Sequence, residues 1–441
     1  MINQISFYFR SLVKKPFKVG MVANHYPEKQ TFNSGVAAHP YYLSRELAKL
    51  GCDIHVFCVG DKNYKKTEYL EGGRLVIHRI KSGPTLDIGD AIIKKYMSDF
   101  IFDNKIIESI TNENSKEKFD ITHSHGGLTG GMLIAKYFNN VKWVNTLHSL
   151  EKNRIKFMSK EQKKYYQIFR WVESTVRYAD ALITVSNKIK LELIQNYPVK
   201  LEKIHYIPNG VDLEVFNEKE EFLEDKRILY VGRFSAEKGI DLIPKIAREI
   251  LEKNHEIKFE IVAPNKNQVI PSSLEKIKRE FEELEKQYSD RFIWHRESLS
   301  RTEIAKVFKK CLLYIQPSRY EAFGLTVLEA MACGKAVIVS NKGGLPEVVE
   351  NAGIVIPLKT NLFTKEILKL VEDFKLRERY ARRAIERSKG FSWEDIAKRT
   401  FALYKKVSGQ EDKRKGIKDE DKIEIEPKTK LKNTDTLNSI W

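Results

Sequence analysis

Glu321 and Glu329 are the carboxylates whose positions most strongly suggest chemistry. An apolar run at 312–316 predicts a buried strand, and a helix is predicted at 324–333 just after it. In an open α/β sheet, ligands bind beyond the carboxyl ends of the strands, where loops and helix starts converge. Glu321 would come from such a loop and Glu329 from the second turn of the helix. Because carboxylates accept hydrogen bonds from vicinal hydroxyls, the pair predicts a site for a sugar or a ribose.

The residues around this pair add the features of a phosphate site. Gly324 stands at the predicted helix start, where glycine lets the backbone approach a phosphate and free N–H groups complement its charge. The block continues through EAMACGKAVI to the pair Gly343-Gly344 and then Glu347. Two glutamates at this spacing are common by chance when they stand alone. The prediction therefore depends on the whole block from 312 to 350.

Strand-like apolar runs alternate with helical stretches along the chain, as in parallel sheets that helices cover on both faces. The turn signal Asn209-Gly210 separates two similar halves. In the first half the predicted strands are 18–24, 53–59, 74–80, 120–124, 143–147, 181–186 and 203–207, with a long helical stretch at 159–179. In the second half they are 227–232, 259–263, 292–295, 312–316, 336–340 and 353–356, with helices at 239–253, 274–288, 301–310 and 324–333.

The composition of the 441 residues fits a protein of two globular domains, with 42% hydrophobic and 31% charged residues. No apolar run approaches the roughly 18 residues of a membrane span, and no signal-peptide core forms near the start. The four cysteines show neither a disulfide framework nor a zinc motif. These features predict a cytoplasmic protein. The net charge of +17 fits an anionic acceptor, peripheral contact with an anionic membrane, or nucleic acid.

Motifs along residues 18–408 resemble, in order and approximate spacing, the family 4 retaining glycosyltransferases of the GT-B fold. The block 312–350 resembles their donor-binding signature, and ILYVGRFSAEKGID resembles the opening of their donor half. SGVAAHPYYLSRELAKLGCDIHVF is similar to their Gly-Gly loop and first helix, and FDITHSHG and WVNTLH to two histidine-bearing strands. ADALITVS and IHYIPNGVD resemble domain-end motifs, and FSWEDIAKRTFALYKKV the helix that crosses back to the first domain.

The resemblance implies two Rossmann-like α/β domains whose parallel sheets face each other across a cleft. We expect a short amphipathic extension at 1–16, an acceptor domain at 17–210, a nucleotide-sugar domain at 211–390 and a crossing helix at 391–408. The charged stretch 409–441 has few large apolar residues and is predicted to be a disordered tail.

The resemblance also implies the roles of the donor residues. Arg233 and Lys238 would bind the donor diphosphate, and their charge would stabilise the leaving nucleotide. Glu321 would bind hydroxyls of the transferred sugar, and Glu329 would hold the ribose. Further donor contacts are implied for backbone groups of Gly35, Phe323, Gly324 and Leu325.

Three residues of the first half are predicted to act near the acceptor. The resemblance places His148 against the transferred sugar near its reacting carbon. Lys152 and Arg154 lie in TLHSLEKNR, which resembles the corresponding loop of family members that glycosylate sugar phosphates or phosphorylated cyclitols, so we expect them to bind an acceptor phosphate. His123 is expected in the core, and His125 at the edge of the cleft.

Retention of anomeric configuration is implied by the resemblance alone. In such enzymes the leaving diphosphate accepts the proton of the acceptor, and the protein supplies positioning and charge. We therefore expect neither a metal ion nor a cofactor. A UDP-sugar is the favoured donor and GDP-mannose the second.

Two other functions use some of the same features. A sugar-nucleotide epimerase of related fold would need acid and base residues around the sugar and would show no dependence on an acceptor. A nucleic-acid-binding protein would explain the basic charge, but no binding module is recognisable, so no specific nucleic acid is expected.

Overall fold

The computed structural model describes residues 15–410 except for 28–34, 61, 71, 82–90, 127–129, 158–162, 164–166, 168–169, 219–225 and 266–271. Most of the predicted extension at 1–16 and most of the predicted tail at 409–441 lie outside the described residues. Among the described helices, none is long and apolar enough to cross a membrane.

Eight strands form the first sheet, in the order β3-β4-β2-β1-β5-β6-β7-β8. They are β1 (Lys18–Ala23), β2 (Asp53–Gly60), β3 (Tyr64–Leu70), β4 (Gly73–Lys81), β5 (Ile121–His125), β6 (Lys142–Leu147), β7 (Ala181–Thr184) and β8 (Ile204–Tyr206). Every neighbouring pair is parallel except β3 with β4, which is antiparallel. Strand β3 was not predicted, because this edge strand is mostly exposed and its sequence, YKKTEYL, contains no apolar run.

Six parallel strands form the second sheet, in the order β11-β10-β9-β12-β13-β14. They are β9 (Arg227–Val231), β10 (Lys258–Val262), β11 (Phe292–His295), β12 (Leu313–Gln316), β13 (Ala336–Ser340) and β14 (Ile354–Ile356). All six correspond to predicted strands, because most of their residues are apolar and buried, as is typical of parallel strands between helix layers.

The helices lie between the strands in chain order. In the first half they are α1 (Gly35–Lys49), α2 (Ala91–Lys116), α3 (Gly130–Asn139), α4 (Glu151–Arg154) and α5 (Asn187–Asn196). In the second half they are α6 (Ile243–Lys253), α7 (Ser272–Gln287), α8 (Arg301–Lys310), α9 (Leu325–Ala332), α10 (Leu345–Val349), α11 (Thr360–Glu372), α12 (Phe374–Lys389) and α13 (Trp393–Ser408).

Two predicted helices begin or continue differently in the structure. The helix predicted at 239–253 starts only at Ile243, because Gly239 adopts a left-handed conformation (φ 72°) between two short 3-10 turns. The stretch 159–179 lies partly outside the described residues, and it ends in a 3-10 turn at Ser174–Tyr178 instead of a continuous α-helix.

Each sheet has a core of large apolar side chains. Trp143 and Phe57 are fully buried on the first sheet, and Phe259 and Phe281 are fully buried on the second. Burial of one such side chain contributes roughly 1.5–3 kcal/mol to folding. These cores fix the sheets, and the sheets fix the loops at their carboxyl ends.

Helix α13 follows the C-terminal domain in sequence but packs on the first sheet. Ser392 caps its first turn by accepting a hydrogen bond from the N–H of Asp395. Tyr404 reaches His123 in the first sheet, and the ring of Trp393 stacks on Tyr42 with centroids 5.4 Å apart. The last helix therefore joins the two halves.

Candidate active site at the carboxyl ends of both sheets

The second sheet reverses its strand order between β9 and β12. From β9 the chain adds β10 and β11 on one side, and β12, β13 and β14 lie on the other. At such a point the two loops that leave adjacent strands diverge and open a crevice for ligands. The loop after β9 carries Arg233 and Lys238, and the loop after β12 carries Glu321.

Lys238 and Glu321 meet in this crevice. Lys238 Nζ lies 2.7 Å from Glu321 Oε2, and both side chains are largely buried, with 15% and 11% exposed. The hydroxyl of Ser318 donates to the other carboxylate oxygen, Glu321 Oε1, at 3.2 Å. The structure therefore brings together a predicted phosphate ligand and a predicted sugar ligand that are 83 positions apart in sequence.

Hydrogen bonds and an ion pair tie the two loops to each other. The guanidinium of Arg319 binds the carboxylate of Asp241 through both terminal nitrogens, at 2.5 and 2.7 Å, and donates to the carbonyl of Ala236 at 3.0 Å. A Cβ on Gly239 would lie 1.9 Å from the Pro317 carbonyl oxygen, so the loops approach as closely as only glycine allows. This contact fixes the position of Lys238.

A third loop, after β13, supports Glu321 from behind. The N–H of Gly344 donates to the Glu321 carbonyl oxygen at 2.8 Å. A Cβ on Gly343 would lie 1.8 Å from that same oxygen, and Gly343 has φ 62°. The Gly-Gly pair is therefore required by close backbone packing and a left-handed conformation.

Arg233 takes a more open position than Lys238. Its side chain is 54% exposed, and it pairs with Glu237 at 3.1 Å along the loop. Glu237 also lies 3.8 Å from the Lys238 ammonium. The two predicted phosphate ligands thus share Glu237 as an acidic neighbour.

Helix α9 begins beside this loop without a side-chain cap. Gly324 occupies its N-cap position with φ 112°, and Leu325 is the first helical residue. The first N–H groups of a helix have no partner within the helix and carry a partial positive charge, which suits an anion. Phe323 is buried just before this turn. The backbone groups at this helix start could therefore bind an anion.

Glu329 is buried inside α9 instead of lying on an open helix surface. Its Oε1 accepts from Arg301 at 2.7 Å, whereas Oε2 is buried without a hydrogen-bond partner among the described residues. Burial raises the pKa of Glu329, and the positive charge of Arg301 opposes that shift. Arg301 also bonds to Tyr42 of α1, so it links Glu329 to the N-terminal domain.

Arg301 was not predicted as a residue of the site. It stands at the first position of α8, 28 residues before Glu329, and its spacing carries no signal. Only the packing of α8 against α9 shows that the predicted ribose ligand has a buried cationic partner.

Four histidines gather at the carboxyl edge of the first sheet, where its strand order also reverses, between β1 and β5. His148 follows β6, and its Nε2 lies 3.3 Å from Nδ1 of His125 at the end of β5. His39 of α1 packs against both rings, with centroid distances of 5.0 Å to His125 and 4.9 Å to His148. Burial lowers the pKa of His148 to about 4, so its imidazole is neutral at pH 7.

His123 is a core residue, as predicted. Its ring is buried, its Nδ1 bonds the Tyr404 hydroxyl, and its Nε2 bonds the Thr146 hydroxyl at 2.8 Å. His125 is half-buried, with Nε2 enclosed and unpartnered, so it lies deeper than the predicted edge position.

The other predicted residues of the first half lie near the starts of helices. Gly35 is the first residue of α1, and Lys152 and Arg154 belong to the short helix α4 just after β6. Lys152 is exposed and donates to Asn196, and the Arg154 side chain lies outside what the structure describes. Among the described residues, no hydrogen bond or ion pair joins His148 or Lys152 to the Lys238–Glu321 pair.

Polar contacts hold the two domains together near these sites. Both carboxylate oxygens of Glu347 accept from the first backbone N–H groups of α5, those of Asn187 and Lys188, at 2.7 Å. Asn153 of α4 donates to the hydroxyl of Tyr320, which precedes Glu321, at 2.9 Å. The loop of the predicted acceptor residues therefore touches the loop of the predicted sugar ligand.

Comparisons with known proteins find matches along most of the chain. The family model of glycosyl transferases group 1 matches residues 212–387, and that of glycosyltransferase family 4 matches residues 33–215. The chain is 28% identical to alpha-maltose-1-phosphate synthase from Mycolicibacterium smegmatis, over 89% of this chain and 100% of that protein. Sucrose-phosphate synthase from Thermosynechococcus elongatus superposes with a TM-score of 0.75 at 23% identity, over 89% and 100% of the two chains. Anabaena HepE in complex with UDP-glucose superposes with a TM-score of 0.65 at 15% identity, over 88% and 99%.

Two Rossmann-like domains of this arrangement define the GT-B fold. The two family models adjoin at the domain junction and together extend from residue 33 to residue 387. The chain belongs to the group 1 glycosyltransferases of family 4 type.

Proposed function

We propose that this protein is a retaining hexosyltransferase that moves a sugar from a nucleotide-diphosphate donor to a hydroxyl of a phosphorylated acceptor. The observation that carries the proposal is the Lys238–Glu321 pair, placed beside the uncapped start of α9. A cation, a carboxylate and free N–H groups are the ligands that a diphosphate joined to a sugar requires.

The donor would bind by exchanging partners within this crevice. A diphosphate entering beside α9 would attract the ammonium of Lys238 and the exposed guanidinium of Arg233, both now paired with carboxylates. Glu321, released from Lys238, would accept hydrogen bonds from sugar hydroxyls. The free Oε2 of Glu329 would accept from the ribose. A UDP-sugar remains the favoured donor, and the Anabaena neighbour was solved with UDP-glucose.

The acceptor side would be formed by α4 and the loop before it. Lys152 is exposed there, and Asn153 contacts Tyr320 beside Glu321, so an acceptor held at α4 would lie next to the donor sugar. The names of two similar proteins, alpha-maltose-1-phosphate synthase and sucrose-phosphate synthase, support a phosphorylated sugar as acceptor or product. We propose Lys152 and Arg154 as its phosphate ligands.

Catalysis would need no metal ion in this proposal, since Arg233, Lys238 and the start of α9 would carry the leaving charge. His148 would contact the transferred sugar as a neutral imidazole. Residues 17–210 would form the acceptor domain and residues 211–390 the nucleotide-sugar domain. The enzyme would act in the cytoplasm, either free or in peripheral contact with an anionic membrane.

The decisive experiment is a donor panel. Thermal stabilisation and nucleotide release would be measured with UDP-glucose, UDP-GlcNAc, UDP-galactose and GDP-mannose in the presence of EDTA. We expect one donor to stabilise the protein and to be consumed faster when a sugar phosphate is added, with the product anomer retained by NMR. Conversion of a donor into its epimer without an acceptor would instead support the epimerase. A product with inverted anomeric configuration would overturn the retaining mechanism. Loss of activity in EDTA would overturn metal independence.

The acceptor ligands are tested by Lys152→Ala and Arg154→Ala. Each variant should raise KM for the phosphorylated acceptor about tenfold, because one charge-assisted contact is lost, and leave KM for the donor unchanged. Lys398→Ala, a change of an exposed lysine on α13, is the matched control. An unchanged acceptor KM in both variants would remove the assignment.

A further inference from the structure

The three histidines His39, His125 and His148 form a cluster that the transfer reaction does not explain. They come from the first turns of α1, the end of β5 and the residue after β6, so their meeting depends on the first sheet. One ring nitrogen of each lies within 4.8 Å of one ring nitrogen of each of the others. Nδ1 of His39 and Nε2 of His125 are buried and have no hydrogen-bond partner among the described residues.

We propose that His39, His125 and His148 bind a divalent transition-metal ion, Zn²⁺ in particular, and that this ion inhibits the enzyme. The inhibition rests on the proposed function, because it acts through His148. The binding of the ion does not.

One pair of ring nitrogens already has the separation of two ligands in a tetrahedral site. Zn–N bonds of 2.0–2.1 Å in tetrahedral geometry separate two ligand nitrogens by about 3.3 Å, and His125 Nδ1 lies 3.3 Å from His148 Nε2. The three ring centroids are 4.9, 5.0 and 5.5 Å apart. Three imidazoles and one open position form a common zinc coordination set.

The fourth histidine at this edge of the sheet lies outside the cluster. His123 is not a candidate ligand, because both of its ring nitrogens already bond hydroxyls.

A second cluster, His55, His78 and Glu113, also has its ligand atoms close together. There the carboxylate of Glu113 is already paired with the ammonium groups of Lys65 and Lys116. These positive charges oppose the binding of a divalent cation. This cluster therefore serves as the internal comparison for the histidine site.

An ion at the histidine site would prevent the proposed role of His148. Coordination would occupy one nitrogen of its imidazole and fix the ring towards His125, so that the ring would no longer be available to the transferred sugar. A reversible loss of transfer follows, with donor binding at Lys238 and Glu321 left intact.

Binding is tested with Co²⁺, which gives a visible absorption spectrum of high intensity in four-coordinate sites. When Co²⁺ is titrated into the chelator-treated full chain, this absorption should rise to saturation. His39→Gln should bind Co²⁺ at least tenfold more weakly. His78→Gln, which removes a ligand of the second cluster, should bind Co²⁺ like the wild type. Absence of the spectrum in the wild type, or its survival in His39→Gln, would overturn the site. Should His39→Gln fail the check of folding by circular dichroism, His125→Asn takes its place.

Inhibition is tested separately with Zn²⁺. Zn²⁺ should abolish transfer by the wild type, EDTA should restore it, and Mg²⁺, which prefers oxygen ligands, should have no effect. His39→Gln, compared with its own metal-free rate, should need at least tenfold more Zn²⁺. Bound metal with an unchanged transfer rate would overturn the inhibitory role. A Co²⁺ spectrum in a chain that transfers no sugar would instead count against the proposed function alone.

Discussion

Arg301 and Glu329 form a nearly buried ion pair inside the C-terminal domain, with side chains 12% and 3% exposed. Breaking such a pair by removing one partner leaves a buried charge without compensation. Because Tyr42 of the other domain also bonds Arg301, this pair carries the contact of α1 with the predicted ribose ligand. The pair can therefore affect both stability and donor binding.

We predict that Arg301→Met destabilises the protein by about 3 kcal/mol at pH 8 and by less at pH 5. Without the arginine, the pKa of Glu329 rises further above the ordinary carboxyl value of about 4.3. The folded state then holds a proton that the unfolded state lacks, so stability falls as pH rises through that interval. Urea unfolding at the two pH values measures the difference.

The double variant Arg301→Met/Glu329→Gln is the control for this prediction. It removes the negative charge of Glu329 together with the guanidinium of Arg301, so it should recover most of the stability that Arg301→Met loses at pH 8. Equal destabilisation of Arg301→Met at both pH values would show that Glu329 does not carry the effect.

Lys238 is the residue on which the proposed leaving-group chemistry depends most. Lys238→Met should reduce transfer about 100- to 1,000-fold, because a preorganised charge at the departing diphosphate is lost. Release of the nucleotide at saturating donor measures the rate. Lys398→Met is the control, because it removes an ion pair with Glu394 in which both side chains are more than half exposed. Its rate should stay within about twofold of the wild-type rate. A Lys238→Met enzyme with more than a tenth of the activity would contradict this role.

At the scale of elements, the site is assembled from three loops that follow β9, β12 and β13. The bidentate contact of Arg319 with Asp241 joins the first two loops, and the Gly344 N–H joins the last two. The strands that precede these loops are neighbours in one sheet. A change in one loop should therefore be transmitted to Glu321.

We predict that Gly343→Ala lowers transfer by about 100-fold, since a displacement of about 1 Å at a reacting group has an effect of that size. The added Cβ would collide with the Glu321 carbonyl oxygen, 1.8 Å away. Steady-state kinetics with the preferred donor measures the loss.

Gly409→Ala is a matched control for Gly343→Ala. Gly409 also has a positive φ, 75°, but a Cβ there meets no atom within 4 Å. It should show the strain of a left-handed alanine, about 1 kcal/mol, without a loss of transfer. Similar activity of the two variants would show that the collision with the Glu321 carbonyl oxygen does not lower transfer.

At the scale of the whole molecule, the N-terminal domain buries many histidines in neutral form. Burial lowers the pKa of His78 and His123 to about 3 and that of His148 to about 4, and it lowers those of His39 and His125 as well. Each of these groups takes up a proton more easily in the unfolded chain than in the folded one. Stability therefore decreases as pH falls below the ordinary histidine pKa of about 6.5.

We predict that the urea concentration at the unfolding midpoint of the N-terminal domain decreases when the pH is lowered from 7 to 5.5. This pH range is well above that in which carboxylates protonate. Each buried histidine contributes about 1.4 kcal/mol per pH unit below its unfolded pKa. His78→Gln should reduce the slope of the unfolding free energy against pH by the equivalent of about one proton. Lys398→Met, a change at an exposed site, should leave this slope unchanged. A midpoint that is constant over this range would contradict the buried neutral state.

The sequence by itself determined the alternation of strands and helices and the two groups of loops that bear polar residues. It could do so because buried parallel strands are continuous apolar runs and because glycine positions mark loops that pack closely. The edge strand β3 was missed, since its pairing depends on a neighbour and not on its own composition.

Only the tertiary structure decided which side chains meet. Lys238 and Glu321, Arg301 and Glu329, and the three histidines each lie far apart in sequence and come together because crossover connections place their strands or helices side by side. Spacing along the chain reports local periodicity, whereas contacts across a sheet depend on strand order. The order of strands was fixed by the packing of both cores, and with it the partners of every charged residue in the site.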